Sequence, residues 1–82
     1  MEQEMRYDDR HAEVLEMLRS DLIGELEAIN QYERHARMSA HPPARQLFHE
    51  IANDERHHVA ELLKMIAELD PRQAQELRRV FY

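Results

Sequence analysis

The chain is predicted to be all-α: an antiparallel helical hairpin plus a short C-terminal helix, two copies of which close a four-helix bundle. Three observations carry this. Only one of the 82 residues is glycine and three are proline, while Leu, Glu, Ala, Arg and Gln, all good helix formers, dominate. Apolar residues recur at alternating steps of three and four over two long stretches, the period of one helix face. The pair Pro42-Pro43 separates the two stretches, so the helices fold back across a short turn. The 82 residues make one domain, and so small a monomer buries little core, which predicts self-association.

Residues 1–10 are polar and aperiodic and read as a loose arm, with Asp8 or Asp9 as the N-cap of the first helix. That helix is predicted over about residues 11–40. Its stripe is Leu15, Leu18, Leu22, Glu25, Ile29, Tyr32 and Ala36, with Val14, Ile23 and Leu26 widening the apolar face. Arg34, His35 and Arg37 put positive charge at its C-terminal end, where the helix dipole favours it. His41 precedes a proline and is pushed out of helical geometry. The second helix is predicted over about residues 43–69, with Pro43 in its first turn and a stripe of Phe48, Ile51, Glu55, His58, Leu62, Met65 and Leu69. Asp70-Pro71-Arg72-Gln73 resembles a capping box and opens a third helix to about residue 80, with Ala74, Leu77 and Phe81 as its apolar face.

Composition excludes several classes of function. The net charge of −6 argues against nucleic acid as a partner and suits the attraction of cations. The absence of cysteine excludes disulfides, zinc–thiolate sites and iron–sulfur clusters. No apolar run resembles a signal peptide or reaches membrane-spanning length, so a soluble cytoplasmic protein with no membrane partner is expected.

Each apolar seam is interrupted near its middle by polar side chains: Glu25 in the first helix, Glu55 and His58 in the second. A charge buried there without a partner costs several kcal/mol, so a partner is expected. Glu-x-x-His places carboxylate and imidazole on one helix face. Antiparallel folding brings Glu25 level with both. A carboxylate-bridged two-metal bundle needs two such sets, and this chain carries one, so a homodimer with metals at its interface is the economical solution. The four carboxylates of two copies match the charge of two divalent cations. Iron, manganese and zinc all suit these donors. With iron, the expected chemistry is oxidation of Fe(II) to Fe(III). Tyr32 lies two turns from Glu25 on the same stripe and either contacts the metal shell or packs as a core tyrosine. Gly24 either admits a close neighbouring helix or is a tolerated glycine. Glu27 and Glu61, off the seam, are candidate accessory cation ligands, whereas Asp54 and His57 read as solvated. His11, His35, His41 and His49 are read as surface residues, and Met17, Met38 and Met65 as packing.

The segments Glu25-Leu26-Glu27-Ala28, Tyr32, Asp54-Glu55-Arg56-His57-His58 with Leu62 and Leu63, Asp70-Pro71, Glu76-Leu77-Arg78 and Phe81 resemble the encapsulated ferritins, small ferritin-superfamily proteins housed in encapsulin shells. The likeness runs from about Leu22 to Phe81. It implies a ferritin-like half-bundle that forms its di-iron ferroxidase centre by dimerising, with a ring of dimers, typically a decamer, and delivery of oxidised iron to the shell interior. Carried over by position, Glu25, Glu55 and His58 are the implied ligands, Tyr32 the tyrosine near the centre, and Glu27 an entry-site carboxylate. Gly24 and Gln31 replace the family's other entry carboxylate and a nearby aromatic residue. The family's shell-targeting tail has no counterpart in these residues.

Two other functions compete with a ferroxidase: a non-catalytic helical assembly whose interface metal is structural, and a rubrerythrin-like peroxide-consuming di-metal protein. The latter usually draws on an iron–thiolate electron donor, for which these residues offer no cysteine.

Overall fold

The computed structural model describes residues 7–81, and the side chains of residues 11–81. Helix α1 spans Tyr7–Met38, α2 spans Pro42–Leu69 and α3 spans Pro71–Phe81, with no strand among the described residues. The all-helical prediction with its three elements is met. Its start is corrected: residues 7–10, predicted as part of the loose arm, are helical, and Asp8 and Asp9 lie inside the first turn instead of capping it. Once a helix is nucleated, each further residue adds a hydrogen bond at little cost, whether or not it packs. Aperiodic polarity therefore signals exposure, not loss of helix, and two acidic residues suit the positive end of the dipole. Residues 1–6 lie outside the described residues.

The hairpin turn is held by polar contacts at every step. Met38 ends α1, and Ser39 N–H reaches back to His35 O at 2.9 Å. The Ser39 carbonyl accepts from Arg45 Nε and Nη2 at 3.3 and 3.1 Å. Helix α2 starts at Pro42, one residue earlier than predicted, and His41 is its N-cap: Nδ1 accepts from Ala44 N–H at 3.2 Å. At the other end, Asp70 joins α2 to α3. Its own N–H donates to Ile66 O at 2.8 Å, while Oδ1 accepts from Arg72 and Gln73 N–H at 3.1 and 3.3 Å. The expected capping box is thus one-sided, because α2 already uses the N–H that Gln73 would need.

Helix α2 packs along α1, and α3 rests on α2 alone. The stripe predicted for α1 faces the seam: Leu15 and Ala36 are buried, and Leu18, Leu22, Ile29 and Tyr32 half-buried. In α2 the seam is turned by one position. Ala52 and Ile66, neither on the predicted stripe, are buried, while His58 and Met65 sit on the open edge. An apolar face is a band about 100° wide, and packing decides which line within it faces inward. Ala36 and Ala52 are each 1% exposed. Small side chains allow a short interaxial distance. Met17, Met38 and Met65, read as packing, are all exposed.

The molecule is a slab of 65 × 32 × 13 Å with a radius of gyration of 17.5 Å, against about 12 Å for a compact domain of this length. Its thickness is that of one helix layer. Stable domains stack at least two layers. Here one side of the hairpin carries bare apolar side chains, among them Met17, Ile23, Leu26 and Met65.

Candidate metal centre

Glu25 projects from the middle of α1, and Glu55 and His58 from one turn in the middle of α2. The fold brings a donor atom from each within 4.8 Å of the others. His58 Nδ1–H donates to Glu25 Oε1 at 2.9 Å and lies 3.8 Å from Glu55 Oε2. The side chain of Glu55 is 17% exposed, that of Glu25 27% and that of His58 50%, so the set is sunk on one side and open on the other.

Glu55 shares a hydrogen bond with Glu25, which raises the Glu55 carboxyl above the ordinary carboxylate range, and partial desolvation and the Glu25 charge add to it. The same bond, followed by contact with His58, keeps Glu25 below that range. His58 is raised chiefly by its hydrogen bond to Glu25. Two carboxylates this close cannot both carry charge cheaply, and a proton or a cation between them relieves the cost. Two hard oxygen donors and an imidazole form a set that fits Fe(II), Mn(II) or Zn(II).

An open groove of about 780 Å³ runs beside the cluster, with Glu25 and His58 on its rim and Leu18, Gly24, Glu61, Leu62 and Met65 among its walls. A Cβ added at Gly24 would meet nothing within 4 Å, so this chain itself makes no close approach there.

The other candidate residues fall outside the three-residue group. Tyr32 packs at ring-centroid distances of 6.3 Å from Phe48 and 6.1 Å from His35. Glu27 is exposed on α1. Glu61 lines the groove, 3.6 Å from His57 Nε2. His35, read as a surface residue, is half-buried against Phe48 at 5.5 Å. Arg56 carries no sequence signal of its role. It pairs with Glu33 across the hairpin and donates to Asn53 Oδ1 at 3.1 Å, tying α2 to α1 beside Glu55. The Arg56 hydrogen bond holds Glu33 below the ordinary carboxylate range. Opposite charges on two helices become a signal only once their register is known.

Residues 16–81 match the protein family described as Rubrerythrin. The ferritin-like–encapsulin shell fusion protein of Pyrococcus furiosus is 41% identical over 69 residues, 84% of this chain and 20% of that protein. The encapsulin nanocompartment cargo protein EncB of Myxococcus xanthus is 39% identical over 64 residues, 78% of this chain and 40% of that protein. This chain therefore spans well under half the length of these two curated relatives. The crystal structure of the encapsulated ferritin domain from Pyrococcus furiosus superposes with a TM-score of 0.82 at 34% identity, covering 99% of this chain and 79% of that one.

Proposed function

Because this chain belongs to the rubrerythrin family and, within it, to the encapsulated ferritins, we propose that it is a ferroxidase, taking Fe(II) to Fe(III) for iron storage and detoxification at a two-iron centre closed by two copies of the chain. The open-sided donor set of Glu25, Glu55 and His58, within 4.8 Å of one another, carries this reading. It is half of what a carboxylate-bridged two-metal bundle requires. A two-fold partner laid over the groove supplies the other half, completes four helices and covers the bare layer.

Bound iron supplies the redox chemistry, with dioxygen or peroxide as oxidant. The protein's side chains bind, shed protons and exclude water. To hold a cation, Glu25 and Glu55 must both be ionised, and His58 must give up the proton it donates to Glu25 Oε1. Protons thus leave as cations enter. Leu18, Leu62 and Met65 fringe the groove; once covered, they lower the local dielectric and strengthen the attraction between carboxylate and cation. Tyr32, on the same stripe of α1 as Glu25 and packed on Phe48, is the tyrosine that serves the centre. Of the two accessory carboxylates, Glu61 on the groove wall is better placed than Glu27 to attract incoming Fe(II). Manganese and zinc are substitutes for the same donors. The relatives named as encapsulin cargo and shell fusion support an encapsulin shell as partner and its interior as the location; a decameric ring of dimers is the assembly proposed with them.

Aerobic addition of Fe(II), followed by Fe(III) absorbance, tests the reading. Glu25→Ala and His58→Ala should each slow oxidation by at least the roughly 10- to 100-fold that loss of a mere supporting contact costs at a metal site. Unchanged rates in both would sink it. The Rubrerythrin family match favours one second reading, peroxide consumption, which requires faster oxidation with peroxide than with dioxygen. Metal-tightened dimerisation without turnover would instead leave the metal a structural role.

A further inference from the structure

The groove beside the metal centre holds a single thioether. Next to Glu25 and His58, its walls are otherwise aliphatic, hydroxyl and carboxylate side chains and Gly24; the sulfur is that of Met65. Met65 follows His58 by seven residues, two turns along the same face of α2, or about 10 Å at the helical rise. It is 44% exposed, so packing within the chain does not enclose it. Of the groups in the groove, the sulfur is the one that readily takes an oxygen atom from peroxide.

The oxidant follows from the ferroxidase reading, on which this inference rests. Two Fe(II) give two electrons to dioxygen, and with two protons these make hydrogen peroxide inside the groove. We infer that Met65 is an oxidation site served by the metal centre, where this peroxide converts the thioether to methionine sulfoxide. The sulfur lone pair attacks one peroxide oxygen, an S–O bond forms and the O–O bond breaks. The second oxygen leaves as water with both hydrogens. Sulfur loses two electrons and peroxide gains two. The sulfoxide is polar, so an apolar edge of the groove becomes hydrophilic as peroxide beside Glu25 and His58 is consumed.

Two other methionines among the described residues are internal references. Met38 ends α1, thirteen residues beyond Glu25 and about 20 Å along the helix, and is 75% exposed. Met17 is 60% exposed and lies in a separate shallow groove with Glu13 and Glu16. Dissolved peroxide oxidises methionines in order of exposure, so Met38 leads and Met65 trails. Peroxide made at the centre oxidises by proximity, so Met65 leads.

Peptide mass spectrometry on the full chain reads that order. In the metal-free chain, added hydrogen peroxide should oxidise Met38 before Met65. In the chain loaded with Fe(II) and exposed to air, with catalase in solution, the order should invert. Catalase destroys the peroxide that escapes and is too large to enter the groove, so Met65 is oxidised while Met38 stays reduced. Fe(III) absorbance is followed in the same samples. Fe(III) formation with Met65 no more oxidised than Met38 overturns the inference and leaves the ferroxidase reading standing. Should no Fe(III) form in air, that reading fails, and the chain loaded with Fe(II) without air and then given hydrogen peroxide decides. Met65 ahead of Met38 there supports the site, and the exposure order overturns it. Leu62→Met/Met65→Leu moves the thioether one turn closer to His58. Its oxidation under air and catalase should exceed that of Met65 in wild type, and a moved thioether that stays reduced overturns the inference too.

Discussion

Gly24 shows how a single missing side chain reads differently alone and in company. Within the chain its Cβ position is empty for 4 Å around, and a mid-helix glycine costs about 1 kcal/mol relative to alanine. Gly24→Ala should therefore stabilise the isolated hairpin by up to that amount in urea unfolding. If a partner helix lies over the groove, the same change should weaken the metal-loaded dimer. Improvement in both would argue against a close approach at Gly24. His58 gives the cluster its pH dependence. Its raised pKa means that the His58–Glu25 contact stabilises the metal-free hairpin fully below the ordinary histidine value and is lost as pH rises through the raised one. Cation affinity runs the other way, since the imidazole must be neutral to bind. Zn(II) affinity measured by calorimetry should climb over that interval in wild type and stay flatter in His58→Ala.

At the scale of elements, two devices set how the helices meet. Asp70 ends α2, caps α3 and binds Arg19 Nη2 at 2.9 Å, so one carboxylate ties the α2–α3 junction to α1. The backbone hydrogen bond from Gln73, followed by the bond from Arg19, holds its pKa below the ordinary value. Its contribution is present above the unfolded aspartate pKa and is lost as pH falls through the lower folded one. Asp70→Ala should lower Tm by several degrees at neutral pH, while Asp70→Asn, which keeps a capping oxygen, should lower it less. Equal losses would mean that the ion pair, not the cap, carries the effect. Ala52 is the second device. Enlarging this fully buried methyl to leucine forces α1 and α2 apart and should cost about 1–3 kcal/mol in denaturant unfolding. A neutral Ala52→Leu would show that the crossing has slack.

The whole molecule is one layer of helices with its polar cluster on an open edge. Metal and self-association are then linked: cations bridging two half-sites stabilise the pair, and pairing completes the sites. Chelation, or pH low enough to protonate Glu25 and Glu55, should shift the sedimentation profile from dimer toward monomer, and added Fe(II) or Zn(II) should reverse it. A dimer of equal strength with and without metal would remove the proposed reason for placing charge in the seam. Among the described residues, no helix is long and apolar enough to cross a membrane, so the bare apolar layer does not read as a spanning segment.

Periodicity reveals the two long helices and their interrupted seams, because spacing along a helix maps directly onto angle around it, while Pro42-Pro43 and the cap at Asp70-Pro71 mark the turn and the third helix. The same logic picked out Glu25, Glu55 and His58, which the fold brings together. What periodicity cannot carry is rotation within an apolar band or register between two helices. Those were decided by contacts between residues far apart in the chain: Ala52 and Ile66 turning inward, His58 left on the rim, Arg56 meeting Glu33, and Asp70 holding Arg19. Local hydrogen bonds and spacing suffice to make a helix. Its orientation against a neighbour is a balance over the whole interface, and small residues such as alanine, nearly silent in hydropathy, weigh heavily in that balance by setting how closely the backbones approach.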